Sequence, residues 1–282
     1  MSKINSIGIA GRITLNTNSL NNEGSEGNYT YTRKVSLIDN EGDVKKVPAV
    51  SGDMLKHIIT KNLWKYAINE DLNLSDTSKN FDANRITSGD MEGDDAASYT
   101  DSMIENCSLS DLAGAMVTDL NLARKSTIEF GWLLGNPEAS KNESHFHVKY
   151  VFNPEKVETD SEEDDEAQNT GQNLFHIPTN SSTYAFVNYL DVERIGYNNH
   201  SSDYSIDDTE RLKRYKAVLN ALAMTMLRLD GAMTSTQLPH LANFEGMLTY
   251  SSSIFPSPMI SPLNDEYKQE IENIAGKVNS FN

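Results

Sequence analysis

VPAVSGDMLKH, residues 47–57, ends an apolar strand-like run at Ser51-Gly52 and begins an amphipathic helix. Ser51 suits the N-cap, because its hydroxyl can accept an N–H of the first turn. Behind it Met54, Leu55, Ile58, Ile59, Leu63 and Tyr66 recur at helical spacing, which predicts a helix to about Ile68. The unpaired N–H groups of such a start carry the positive end of the helix dipole and suit a phosphate. Lys56 strengthens that anion site. The same residues also fit an ordinary capped helix with a solvated lysine.

Upstream, Ile7 to Asn16 alternates cleanly, with Ile7, Ile9, Ile13 and Leu15 on one face, the period of a half-buried strand. A polar loop, NTNSLNNEGSEGN (Asn16–Asn28), follows. A hairpin is predicted over Tyr29–Ile38 and Val44–Val50, turned by Asp39-Asn40-Glu41-Gly42, and it carries Arg33, Lys34, Lys45 and Lys46. Alone these bases are a solvated edge. Beside an anion-binding helix start they form a patch that grips a nucleic-acid backbone without reading its sequence.

Downstream, residues 70–106 are polar, acidic and without sustained periodicity, and read as an inserted, largely loop segment. A short helix at Leu109–Leu120 and strands at Thr127–Leu134, His145–Phe152, Asn173–Ile177 and Thr183–Val192 follow. The acidic run Glu158–Glu166 between them reads as a loop tip. Thr209–Leu229 reads as a helix with Leu212, Tyr215, Leu219, Leu222, Met226 and Leu229 inward, Asp208 as cap, and Arg211, Lys213, Arg214 and Lys216 outward. GAMTSTQLP, Gly231–Pro239, is either its exit or a loop that lets a backbone approach closely. Phe244–Ser251 is a last strand, and Glu266–Val278 a last helix.

Without its acidic excursions the order is strand, helix, strands, helix, strand. That is an α+β fold of the split βαβ, ferredoxin-like kind, with two helices on one face of an antiparallel sheet. A doubly wound dinucleotide fold fits worse, since Gly8-Ile-Ala-Gly11 lacks the GxGxxG spacing.

The formal net charge of −17 argues against nucleic acid until its distribution is considered. Residues 70–106 hold 10 acids against 2 bases, and residues 153–170 hold 8 against 1. Residues 1–66 hold 9 bases against 6 acids. The acidic total therefore sits mostly in two excursions, and the remainder has local basic faces. Hydrophobic content of 38% over 282 residues supports one elaborate domain or two small ones. The lone Cys107 excludes an internal disulfide framework and fits a reducing cytoplasm. No apolar stretch of membrane-spanning length occurs, so a cytoplasmic protein without a membrane partner is expected.

Other chemistry is weakly marked. His145 and His147 share a strand face, but no acid or cysteine at a useful spacing completes a metal site. Nothing near Cys107 marks an activating base. The acids of 158–166 lack the alternation and central glycine of a calcium loop. Neither metal nor cofactor is expected.

GRITLNTNSLNNEGSEGNYTYTRK, VPAVSGDMLKHI, LFHIPTNSSTYAFVNYLDVERIG and DGAMTSTQLPHLANFEG, in this order, resemble the CRISPR-associated DevR-type autoregulator family. That family is the RAMP-type backbone subunit repeated in type I Cascade surveillance complexes. The resemblance spans most of the chain except residues 70–106 and 153–170. It implies a single RRM-like palm over residues 1–282, with an insertion at 70–106 and a β-hairpin thumb at about 137–182. It implies a non-catalytic subunit that polymerises with copies of itself along CRISPR RNA (crRNA), beside other Cascade subunits. Protein then holds the guide backbone while base pairing reads target DNA.

Carried over by motif, Ser51, Gly52, Lys56 and His57 match the phosphate-contacting helix start. Asn16, Asn21 and Arg33 lie where the palm approaches the RNA backbone, with Lys45 and Lys46 beside them. Phe175 falls on the thumb's return strand as a wedge, and Gly231 and Ala232 match the glycine-containing loop. No RNP-type aromatic signature is present on the strands, so ordinary RRM base stacking is not expected. Related subunits of type III complexes cut RNA with a loop aspartate after the first strand. Residues 11–38 here contain only Glu23 and Glu26 as acids, which favours a scaffold over a nuclease. No helix-turn-helix pattern supports a DNA-binding regulator.

Overall fold

The computed structural model describes residues 4–39, 42–150 and 172–280. In chain order its elements are β1 (Ser6–Asn18), β2 (Asn22–Glu26), β3 (Tyr29–Thr32), β4 (Lys34–Ile38), β5 (Val44–Val50), α1 (Gly52–Asn69), α2 (Asp76–Lys79), α3 (Ala96–Asn106) and α4 (Ser108–Ala113). Then come β6 (Ala115–Val117), β7 (Leu122–Arg124), β8 (Ile128–Phe130), β9 (Leu133–Tyr150), β10 (Gln172–Asp191), β11 (Tyr197–Asn198), β12 (Asp203–Tyr204), α5 (Asp208–Leu227), β13 (His240–Ser251) and α6 (Tyr267–Asn279).

The main sheet runs β13-β1-β10-β9-β5-β4. β1 lies between β10 and β13, antiparallel to both, and β9 and β10 form an antiparallel hairpin. The alternation of β1 sets its two faces. Ile7 joins the core formed with α1 and α5, and Ile13 and Leu15 join Leu55 of α1 in a second cluster. The opposite face is covered too, which corrects the half-buried expectation. Ala10 packs on Tyr267 and Ile271 of α6, and Arg12 donates to the Pro262 carbonyl at 2.7 Å. Gly11 is required by closeness: a Cβ there would meet the Glu245 carbonyl oxygen at 2.6 Å and the Phe186 ring at 2.7 Å.

The predicted strands Asn173–Ile177 and Thr183–Val192 are one strand, β10, paired with β1 from Asn180 to Asp191. Beyond Asn180 the β9–β10 hairpin runs past β1, in register from Thr179↔Glu143 to Gln172↔Tyr150. Its acidic run, 158–166, lies outside the described residues, as does part of the predicted turn at 39–42.

Residues 70–106 are about half helix and half loop. They contain α2 and α3, capped by Ser75 and Asp95, and they bury Leu72, Ile86, Met91 and Met103 in the α1–α5 core. These apolar residues are too far apart along the chain to show a period, and their short helices begin at polar caps. The segment therefore reads as hydrophilic while contributing to the core.

The long helix α5 is capped by Asp207, not Asp208, and Tyr215, Leu219, Leu222, Met226 and Leu229 pack on the core as expected. Ala217, Val218, Ala221 and Leu222 face inward, so small residues let it approach α1, while Leu212 is 52% exposed. Two of the four predicted outward bases are structural. Arg211 lies 3.8 Å from the centroid of the Tyr204 ring, and Arg214 is fully buried. Arg214 Nη1 donates to Asp111 Oδ2 at 2.9 Å and to the Ile104 carbonyl at 2.7 Å. Arg124 Nη2 pairs with Asp111 Oδ1, and the Gly196 N–H donates to the same carboxylate. This buried triad ties α4, β7, α5 and the turn after β10 together.

Candidate nucleic-acid interface

The start of α1 is built from three segments distant in sequence. Ser51 takes the N-cap position, and its Oγ accepts the Met54 N–H at 3.3 Å. That leaves the N–H groups of Gly52 and Asp53 without an intrahelical acceptor. Asn21 Oδ1 accepts the Ser51 N–H at 2.8 Å, and the Asn21 carbonyl accepts the Arg33 N–H at 2.9 Å. Arg33 in turn accepts the Ala49 N–H at 3.0 Å. The loop after β1 and the entry to β4 thus fix the strand-to-helix junction by hydrogen bonds. Arg33 lies 5.7 Å from the Trp132 ring centroid and 3.7 Å from Glu23.

Lys56 opens onto a groove of about 680 Å³ shared with Arg85, Lys125, Phe130 and Trp132. Burial, then the neighbouring Arg85 charge, lowers the Lys56 pKa, against a smaller opposing pull from Asp53. Lys125 is paired with Glu129 at 2.6 Å. Arg85 donates to the carbonyls of Ala113 and Gly114, so its guanidinium is held by the end of α4. Two cations facing each other in one concavity favour an anion between them.

Gly231 and Ala232 act one step behind the site. The Ala232 N–H donates to the Leu20 carbonyl at 3.0 Å, next to Asn21. A Cβ on Gly231 would sit 2.6 Å from Leu20 Cδ2 and 2.8 Å from its Cα. Asp230, before the loop, pairs with Lys61 of α1 at 3.0 Å, and that bond with Thr234's brings its carboxyl pKa down to about 2. Gly231→Val is expected to push the Leu20–Asn21 loop away and cost about 1–3 kcal/mol, read as a lowered urea midpoint. An unchanged midpoint would show that the loops separate freely.

The remaining sequence candidates lie elsewhere. His57 is exposed and turned toward Phe81, ring centroids 5.6 Å apart, hence toward the 70–106 segment. Asn16 pairs with His240 where β1 bulges, beside Thr17 at φ 50°. Lys45 is paired with Asp43 at 3.3 Å and Asp39 at 3.6 Å. Lys45 and Lys46 sit roughly 15–20 Å up β5 from Ser51, at about 3.3 Å per residue. Phe175 is on the β9–β10 hairpin, facing His147 at 5.6 Å. Cys107 is fully buried. Sequence reasoning missed Trp132 and Arg85, which carry no motif and reach the groove only through the packing of β8 and α4.

These elements define a mixed α+β protein with a cationic helix start buttressed by a loop of its central strand. The chain belongs to the CRISPR-associated negative auto-regulator DevR/Csa2 family, whose model matches residues 9–272. It is 27% identical over 285 residues to CRISPR-associated protein Cas7/Csa2 1 of Saccharolobus solfataricus, covering 96% of this chain and 86% of the relative. It is 25% identical over 281 residues to CRISPR-associated protein Cas7/Cst2/DevR of Methanocaldococcus jannaschii, covering 94% and 87%. In fold it resembles a chain of a CRISPR RNA-guided surveillance complex in its pre-nicking state, with a TM-score of 0.50 at 10% identity, covering 98% of this chain and 89% of that one. Among the described residues no helix is long and apolar enough to cross a membrane.

Proposed function

We propose that this chain is a non-catalytic crRNA-binding backbone subunit of a type I CRISPR surveillance complex, repeated along the guide and leaving its bases free to pair with target DNA. The observation that carries this reading is the helix start of α1. Asn21 holds Ser51 at 2.8 Å, and Lys56 and Arg85 face one groove beside it. Such a constellation takes a phosphate through N–H groups and charge. The family membership and the surveillance-complex likeness support the guide as the polyanion.

The order β13-β1-β10-β9, with α1 after β1 and α5 after β10, supports the ferredoxin-like, RRM-like palm. The β9–β10 hairpin takes the part of the thumb, with Phe175 as its wedge. Asn16, Arg33, Lys45, Lys46 and His57 extend the backbone contact outward from Ser51, Gly52 and Lys56. Gly231 and Ala232 support it through Leu20.

Expression of the chain with a CRISPR array, followed by purification at moderate salt, tests the reading. RNA of regular length that ribonuclease removes is the expected companion. Protein free of RNA, or carrying only duplex DNA, would overturn it, and so would regular cutting of complementary RNA in Mg²⁺.

A further inference from the structure

The helix layer covers β1 but stops short of its neighbour β13, at the edge of the main sheet. Across the β1–β13 ladder Ile7 stands opposite Tyr250 and Ile9 opposite Leu248. Ile7 is 3% exposed beneath the helices, whereas Tyr250 and Leu248 are 63% and 58% exposed. Phe244, opposite Ile13, is 47% exposed and leans on the Phe186 ring, centroids 6.0 Å apart. Three large apolar side chains thus share one open face of β13, with Gly246 between them. The other face is closed. Met247 packs on Tyr267 and Ile271 of α6, Glu245 Oε2 accepts from Lys268 Nζ at 2.9 Å, and Thr249 Oγ1 donates to the Pro258 carbonyl at 2.9 Å.

β13 is also an unpaired edge. β1 is its one partner in the sheet, and among the described residues no backbone hydrogen bond outside that ladder engages His240–Tyr250. Natural edge strands are guarded by lysine, proline or bulges. From Asn243 to Ser251 the ladder is regular and contains neither lysine nor proline, and its one charged side chain, Glu245, turns to the closed face.

We propose that β13 is an interface between two copies of this chain, the strands pairing antiparallel about a two-fold axis at Met247 and joining the two sheets into one. A two-fold pair must match the strand with itself. This register does so over the whole regular stretch. Phe244 of each copy stands opposite Tyr250 of the other, and Leu248 stands opposite Gly246, which leaves it room. An axis at Glu245 would set two glutamates directly opposite, and one at Gly246 would set Tyr250 against the bulge at Ala242. The pairing uses backbone groups and apolar side chains, so it needs no nucleic acid. It closes at two copies, unlike head-to-tail repetition along a guide, and it is independent of the α1 helix start.

Sedimentation velocity at micromolar concentration, on protein stripped of nucleic acid by ribonuclease and high salt, tests it. A two-chain species that salt does not disperse is expected. Leu248→Lys is expected to raise its dissociation constant about tenfold or more and, at an exposed position, to leave the melting temperature unchanged. Tyr250→Lys gives the same rise should Leu248→Lys melt early. An equimolar mixture of Phe244→Cys and Tyr250→Cys chains crosslinks on mild oxidation. Neither variant alone does, because like positions lie roughly 20 Å apart along the paired strands. Cys107 is buried and stays silent. A monomer, a dimer indifferent to both lysines, or a ladder of larger oligomers overturns the pairing. So do crosslinks that form equally from either variant alone or fail to form in the mixture.

Discussion

Asp111→Asn is expected to destabilise the fold by about 3–5 kcal/mol, the cost of stranding buried charges. Asp111 is wholly buried and pairs with Arg124 and with Arg214, whose side chains are 4% and 0% exposed. With the carboxylate neutral, Arg214 keeps only its pair with Glu210 at 3.0 Å, and Arg124 loses the one carboxylate it pairs with among the described residues. Arg214 Nη2 already lacks a partner, so no spare acceptor is at hand. An asparagine returns one carbonyl oxygen where a carboxylate supplied two. A loss of this size consumes a large part of a typical domain's stability. Arg214→Met is expected to cost less, because Asp111 keeps Arg124 and the methionine fills apolar space. Urea unfolding of both variants measures the difference. A loss under about 1 kcal/mol for Asp111→Asn would show the triad to be dispensable.

Lys56→Glu is expected to produce the largest functional effect, about a tenfold or greater loss of guide-RNA affinity near physiological salt. The slope of log affinity against log salt should fall by about one, as one phosphate contact disappears. Reversal also places a carboxylate beside Asp53 at the helix start, repelling the phosphate that the free N–H groups attract. The fold should survive, since Lys56 is only partly buried and a glutamate there gains Arg85 as a partner. Unchanged affinity at matched salt, with normal melting, would remove Lys56 from the interface.

Local pattern made much of this legible in advance. Alternation found β1, and the Ser51 cap with its apolar spacing placed α1 within a residue or two of Gly52–Asn69. Asn21, Arg33, Ser51, Gly52 and Lys56 come together around the start of α1. The misreadings share one cause, since a polar or charged residue was taken as solvated when distant partners satisfied it. Arg214 looked outward-facing until Asp111, 103 residues away, gave it a buried acceptor. The 70–106 segment looked like loop because its buried residues are scattered among acids.

The opening stretch, VPAVSGDMLKH, by itself determined that a strand stops and a capped, cationic helix begins there, because capping and periodicity depend on neighbours a few residues away. Charge bookkeeping likewise separated the acidic excursions from the basic remainder. Only tertiary structure decided what faces that helix start: the loop of Asn21 and Leu20, the Gly231–Ala232 turn behind it, and Arg85 and Trp132 across the groove. Contacts between residues more than a hundred positions apart are set by sheet register and helix packing, and short-range spacing carries no trace of either.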